Sequence, residues 1–331
     1  MAVTIKDVAR AAGVSPSTVC RALSSPDLVK AETRERVRRS AAALGYSVNR
    51  AARGLITGRT GNLGLIVPDL ANPFFPGVVK AVQARARELD YAVFVADTDE
   101  VATAESELVH AILKQVDGVV LCSPRMSESA LRPLAAQIPT VLLNRRVSRI
   151  PSVTFDNLDG MRQALAHLTA LGHRRVAYVG GPRSSWSNRE RLRGLRTAAA
   201  ATRVELVEVG NVLPQFNGGI AAADLVLAAD VTAVVAYNDL IALGLLSRFH
   251  ARDVDVPGRI SVIGIDDIGM SAMVHPPLTT VSAPVEQSGR AGVDLLLDLM
   301  DNPDRAATAR RELDTHLTVR GSTGPARREP A

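Results

Sequence analysis

The sequence predicts an α/β protein: a small all-α head, then a bilobed core of two doubly wound parallel-sheet subdomains. Three observations lead there. Residues 1–60 read as short capped helices carrying eleven Lys and Arg against four Asp and Glu. From Asn62 onward, short apolar runs alternate with amphipathic stretches, a pattern that demands right-handed parallel βαβ units. Those units are too many for one compact sheet in a chain of 331 residues, so two lobes are expected.

The head begins with "TIKDVARAAGVSPSTVCR" (4–21). Thr4 can cap a first helix whose Ile5, Val8, Ala9 and Ala12 share one apolar face. Gly13 ends it, because glycine takes the left-handed conformation cheaply. Ser15 caps a second helix, with Pro16 at its first position, where a missing N–H costs nothing. Two short helices about a glycine turn form a helix-turn-helix, whose second helix fits the DNA major groove. "AETRERVRRSAAALGY" adds a third helix, with Val37, Ala41 and Leu44 on one face. "SVNRAARGLITGRTG" follows, rich in Arg and Gly and without apolar periodicity, as suits a linker that orders on a polyanion. The head carries +7 and the whole chain +5, so the remainder sums to −2. A basic head on a near-neutral body is the distribution that phosphate binding requires.

In the body, "NLGLIVPDL", "YAVFVADT", "VDGVVLCSP", "PTVLLN" and "SVTFD" read as strands, with helices between them at 75–90, 102–115 and 128–137. The alternation resumes with the strands "RVAYVGGP", "RVELVEVG", "TAVVAYND" and "ISVIGID", separated by helices at 188–201, 219–229 and 240–251. Ligands of such sheets bind beyond the carboxyl ends of the strands. The residues there are Asp69 to Phe75, Asp97 to Asp99, Ser123, Asn144, Asn238, Asp239, Asp266 and Asp267, with Arg191 near the same rim. Carboxylates accept from hydroxyls, Arg donates a fork, and Phe74, Phe75, Trp186 or Phe216 can cover C–H surface, so a hydroxyl-rich ligand fits. Helix capping is the competing explanation for any single Asp or Asn.

Other classes find less support. No apolar stretch reaches membrane-spanning length, and no secretory signal is expected, which points to the cytoplasm. Cys20 and Cys122 show no metal spacing and read as packed thiols. None of the six histidines has metal spacing. His167 and His173 flank a helix end, where a cation suits the dipole, and both read as structural. No GxGxxG after a strand, GxxxxGK[ST] loop or GxSxG elbow occurs, so no catalytic residue, metal or cofactor is expected.

With "TIKDVARAAGVSPSTVCRAL", "YNDLIALG", "SVIGIDD" and "PPLTTV" in place, the sequence resembles the lactose-repressor (LacI/GalR) family of bacterial transcription regulators. The resemblance implies a headpiece over 1–46, a hinge over 47–60 and a periplasmic-binding-protein-like core over 61–320. It divides that core into a first lobe of about 61–156 and 285–312 and a second of about 157–284 and 313–320. Residues 321–331 remain as a polar tail without leucine heptads, which favours a homodimer over a tetramer. The partners implied are a near-palindromic double-stranded DNA operator and a small effector, a sugar in the first instance. The resemblance assigns DNA contacts to Thr4, Ser15, Pro16, Ser17, Thr18, Arg21, Asn49, Arg50, Arg53 and Leu55. Arg21 has the chemistry to grip guanine O6 and N7, and Leu55 falls on the family's minor-groove wedge. Effector contacts fall to Phe74, Phe75, Asn144, Arg191, Phe216, Asn238, Asp239 and Asp266. Val48 replaces the family's usual proline and Cys20 its usual serine. Pro214 stands where a pocket aromatic is common, with Phe216 two residues on, so the stacking residue is left open. A purine-responsive co-repressed regulator and a bilobed solute receptor are the alternatives.

Overall fold

The computed structural model describes residues 3–24, 28–46, 59–306 and 308–327, and separates a head ending at Gly61 from a body beginning at Asn62. The hinge positions Asn49, Arg50, Arg53 and Leu55 lie outside the described residues.

In the head, α1 (Ile5–Ala12), α2 (Pro16–Ser24) and α3 (Ala31–Ala43) surround a small core of Val8, Ala9, Ala12, Val19, Ala22, Val37 and Ala41. Asp7 accepts both the Thr4 amide, at 3.0 Å, and the Thr4 hydroxyl, at 2.7 Å, closing the first turn of α1. Gly13 takes φ 64°, and the Val14 amide returns to the Ala9 carbonyl. The Thr18 amide donates to Ser15 Oγ at 3.1 Å, starting α2. Leu44 stays largely at the surface instead of joining Val37 and Ala41.

The body holds two six-stranded sheets. The first contains β1 (Asn62–Val67), β2 (Ala92–Asp97), β3 (Gly118–Cys122), β4 (Thr140–Leu143), β5 (Ser152–Phe155) and β11 (Arg310–Leu313). Their order is β11-β5-β4-β3-β1-β2, all parallel. The second contains β6 (Arg175–Gly180), β7 (Glu205–Asn211), β8 (Ala233–Ala236), β9 (Ser261–Asp266), β10 (Thr279–Ser282) and β12 (His316–Thr318), in the order β12-β10-β9-β8-β6-β7. It is parallel except for its antiparallel edge strand β12. Buried strands such as β3, β4 and β9 are continuous apolar runs, as expected for sheets covered on both faces. The first lobe carries α4 (Phe74–Glu88), α5 (Ala102–Ile112), α6 (Glu128–Gln137) and α11 (Val285–Asp301). The second carries α7 (Asn157–Ala170), α8 (Trp186–Thr202), α9 (Phe216–Ala228) and α10 (Asp239–His250).

Helices α9 and α10 approach closely because Gly219 and Gly244 face each other. A Cβ at Gly219 would sit on the Ile241 carbonyl, and one at Gly244 on the Phe216 carbonyl. The chain crosses between lobes near Asp156, Ala283 and Asp314. The first and third crossings are tied together by Asp156 N–H to Leu313 O at 2.9 Å and Thr315 Oγ1 to Asp156 O at 3.0 Å.

Residues 321–327 are not a loose tail. Ser322 is fully buried, accepting from the Thr279 amide at 2.8 Å and donating to the Val262 carbonyl at 2.6 Å. His167 and His173 are structural, as read from the sequence, but through this segment and not through the helix dipole. Burial lowers both pKa values, and their rings bind Thr323 Oγ1 and the Gly324 carbonyl, so they hold this segment instead of presenting cations to the helix dipole.

Candidate functional sites

In the head, Ser15, Pro16, Ser17 and Arg21 are exposed, while Val19 and Ala22 are buried. Ser17 and Arg21 lie four residues apart and therefore share one face of α2, turned away from the three-helix core. Thr18 is half-buried, with its hydroxyl 2.9 Å from Ser15 Oγ, and Thr4 is exposed at the start of α1. The result is a short helix offering one guanidinium and small hydroxyls to the outside, held by caps at its base.

In the body, the carboxyl ends of both sheets face a common cleft, beside the points where strand order reverses (β1/β3 and β6/β8). The first lobe supplies Asn72, Phe74 and Phe75 after β1, Glu100 after β2, Ser123 and Arg125 after β3, and Asn144 after β4. The second supplies Arg191 from α8, Pro214 after β7, Tyr237 and Asn238 after β8, and Asp266 at the end of β9. Phe74 and Phe75 meet edge to face at 5.2 Å, and Phe74 meets Phe155 similarly at 6.2 Å.

Arg191 is 4% exposed and fully engaged. Nε donates to Asn157 Oδ1 at 3.0 Å, Nη1 to the Tyr237 carbonyl at 2.5 Å, and the guanidinium lies 4.8 Å from the Tyr237 ring centre. Its contact with Asp266 is long, at 3.5 Å. Asp266 is thus a buried carboxylate with weak compensation at a backbone φ of 117°. Burial pushes its pKa up to about 7, with Arg191 opposing the rise and Asp239 adding to it. A group of this kind gains from hydroxyl donors that replace lost water.

Across the cleft, Asn144 Nδ2 donates to Ser123 Oγ at 2.9 Å, and Ser187 Oγ of α8 donates to Asn144 Oδ1 at 2.9 Å. Gln215 reaches from the second lobe to Asp69 Oδ2 at 3.2 Å. About 10 Å³ of space remains between the lining groups, room for about one water. Admitting a larger molecule requires the lobes to part.

Three expected effector residues stand elsewhere or serve otherwise. Asp239 is wholly buried and faces its own lobe, accepting from the Ile268 amide, Ser271 Oγ and Thr280 Oγ1. Burial raises its pKa to about 6, and those donors pull against the rise. Phe216 is 41% exposed at the first turn of α9 and does not line the cleft, while Pro214 does. Asn238 lines the cleft, but its side chain is committed to capping α10 through the Ile241 amide and to the Pro214 carbonyl. Trp186 points away from the cleft, into a separate cavity. Asn72 falls within the expected rim stretch 69–75, whereas Glu100, Arg125, Ser187 and Tyr237 were missed. For Arg125 the available signal was a cation just after an apolar strand, in "VVLCSPR". It is buried against Glu100, with Nε to Oε2 at 2.6 Å.

A helix-turn-helix head and a two-lobed ligand cleft on one chain define a DNA-binding transcription regulator. The chain belongs to the lacI family of bacterial regulatory proteins, whose model matches residues 4–49, and a periplasmic binding protein-like domain matches residues 165–323. It is 32% identical over 332 residues to the HTH-type transcriptional repressor CytR of Escherichia coli (strain K12), covering 97% of this chain and 96% of that one. It is 36% identical over 341 residues to the HTH-type transcriptional regulator CelR of Thermobifida fusca, covering 96% and 98%. Among solved structures, the lac repressor dimer bound to operator and the anti-inducer ONPF matches with a TM-score of 0.85 at 30% identity, covering 98% and 100%. A CelR–cellobiose complex matches with a TM-score of 0.72 at 32% identity, covering 97% and 99%. Among the described residues no helix is long and apolar enough to cross a membrane.

Proposed function

We propose that this chain is a homodimeric repressor whose operator affinity is set by a sugar bound between the two body lobes. The observation that carries the sugar reading is Asp266: a buried, weakly compensated carboxylate beside Arg191, across the cleft from the Phe74–Phe75 edge. Carboxylate and guanidinium exchange hydrogen bonds with hydroxyls, while phenyl rings cover the C–H face of a pyranose or furanose. Relatives caught with cellobiose and ribose support this chemistry. On the DNA side, Ser17 and Arg21 read bases, with Arg21 forked onto a guanine, Pro16 holds a base-reading position without a hydrogen-bonding group, and Thr4, Ser15 and Thr18 lie beside phosphates. Asn49, Arg50, Arg53 and Leu55 complete the contact through the hinge, with Leu55 as the minor-groove wedge. A two-fold dimer then reads a near-palindrome. The protein binds its effector without turnover.

The effector acts because the cleft has no room for it in the present lobe arrangement. A sugar must displace Asn144–Ser187 and Asp69–Gln215, and it favours whichever arrangement lets it touch both lobes. A thermal-shift panel of sugars, sugar phosphates, purines and amino acids tests this reading, with operator binding followed by filter retention. A sugar shift that vanishes in Asp266→Asn, with operator binding retained, is expected. A shift with purines alone would move the effector to the other class.

A further inference from the structure

The body holds a cavity apart from the effector cleft. It lies behind it, at the lobe crossings, with a volume of about 590 Å³, well within the range of small-molecule sites. Its floor combines Phe155 from the end of β5 with Leu158, Gly194 and Ala198 on the facing sides of α7 and α8. Trp186, the chain's single tryptophan, forms one wall and is half-buried. The Arg146 guanidinium stands 6.0 Å from its ring centre. We propose that this cavity is a second ligand site, distinct from the cleft, for a neutral, flat ring molecule.

The charge pattern selects neutrality. Each arginine at the rim already has a carboxylate partner: Arg146 with Glu312, Arg162 with Asp159, and Arg193 with Glu190. These solvent-exposed pairs compensate one another and offer a charged ligand little gain, whereas an uncharged ring stacks on indole and phenyl surface and leaves the pairs intact. Flatness follows from the small residues of α8 that line the cavity: Ala198 and Ala201 add only methyl groups, and Gly194, packed against the Leu158 backbone of α7, adds no side chain.

The cavity also touches the cleft through shared residues. Phe155 packs edge-on against Phe74, which lines the cleft. Asn157 lines the cavity and accepts from Arg191. Trp186 precedes Ser187, which holds Asn144 across the cleft. A ring molecule seated here bridges Arg146 and Glu312 of the first lobe to α8 of the second, and so biases the same lobe arrangement that the effector uses.

Caffeine, nicotinamide and coumarin are suitable neutral probes. Binding to the full chain is read from the indole N–H resonance, which belongs to Trp186 alone. A saturable shift with at least one probe is expected, and the same probe should bind Asp266→Asn with unchanged affinity. Thr197→Tyr combined with Ala201→Phe fills the cavity from two exposed helix positions and should weaken binding more than tenfold. Thr197→Tyr alone serves if the double variant melts early. Absence of a saturable shift with all three probes overturns the assignment. So does equal affinity in a folded filled variant, or loss of binding in Asp266→Asn, which would put the probe in the cleft.

Discussion

Two side chains carry most of the predicted behaviour. Arg21 sits exposed on α2, four residues from Ser17. Replacing it with Ala should weaken specific binding by about 1–3 kcal/mol and relax preference at one base pair. Selection from a randomised operator library checks this, and an unaltered consensus would refute it. Asp266 predicts a pH dependence. Its folded pKa, about 7, lies above the ordinary 3.8, so between those values the folded chain holds a proton that the unfolded chain has lost. Stability conferred by that proton is fully present at the acid end and drains away as pH rises through 7. Asp239, pushed up to about 6, acts in the same direction. Asp266→Asn should therefore flatten the fall in melting temperature between pH 5 and pH 8, a window roughly bracketing the two folded values. Hydroxyl donors favour the charged carboxylate, so sugar binding should release a proton and tighten as pH rises across this range. Calorimetry in buffers of contrasting ionisation enthalpy reads that release directly.

At the scale of elements, the closing segment is the informative one. Ser322→Ala strands the Thr279 amide in a fully buried position and should cost about 1–3 kcal/mol, read as a lowered denaturant midpoint. A chain stopped after Arg320 should lose at least as much, whereas a free tail would cost nothing. That docking was not legible in "RGSTGPARREPA", because polar residues that pair with backbone inside a lobe look like residues that pair with water. The continuous apolar strands were legible, since burial on both faces leaves a plain signature. The edge strands β11 and β12 were not, because Arg310, Arg311 and Glu312 face solvent. The cleft was legible as a rim but not residue by residue. An Asp after a strand can line a cleft, as Asp266 does, or satisfy its own loop, as Asp239 does, and the difference lies in partners far along the chain. Trp186 and Ser187 are neighbours in sequence, yet helix phase turns one outward and the other into the cleft.

For the whole molecule, the narrow cleft means that lobe separation and effector binding are one equilibrium. Ser187→Ala removes a hydrogen bond that holds the lobes together and leaves Asp266 and Arg191 in place. It should raise apparent effector affinity severalfold, because less of the binding energy goes into parting the lobes. A titration followed by small-angle scattering reads both quantities, and unchanged affinity would separate the contact from the switch. Analytical ultracentrifugation checks the dimer, together with the effect of operator half-site spacing, which should favour whole helical turns.

The returning helix α11 has a consequence for biosynthesis. Val293, Leu295 and Leu296 seal the first lobe, with Leu296 against Gly118 of β3 and Gly292 against Leu143 of β4. A ribosome that has already released five strands of that lobe must still translate β6 to β10 and the four helices of the second lobe before the cover emerges. Until then the nascent chain displays the bare apolar side of β3 and β4, while the three-helix head, with its core wholly within residues 8–41, can already be folded. Stalled or prematurely terminated products would thus carry a folded head on an uncovered lobe, and the same uncovered sheet marks them for chaperone capture and proteolysis.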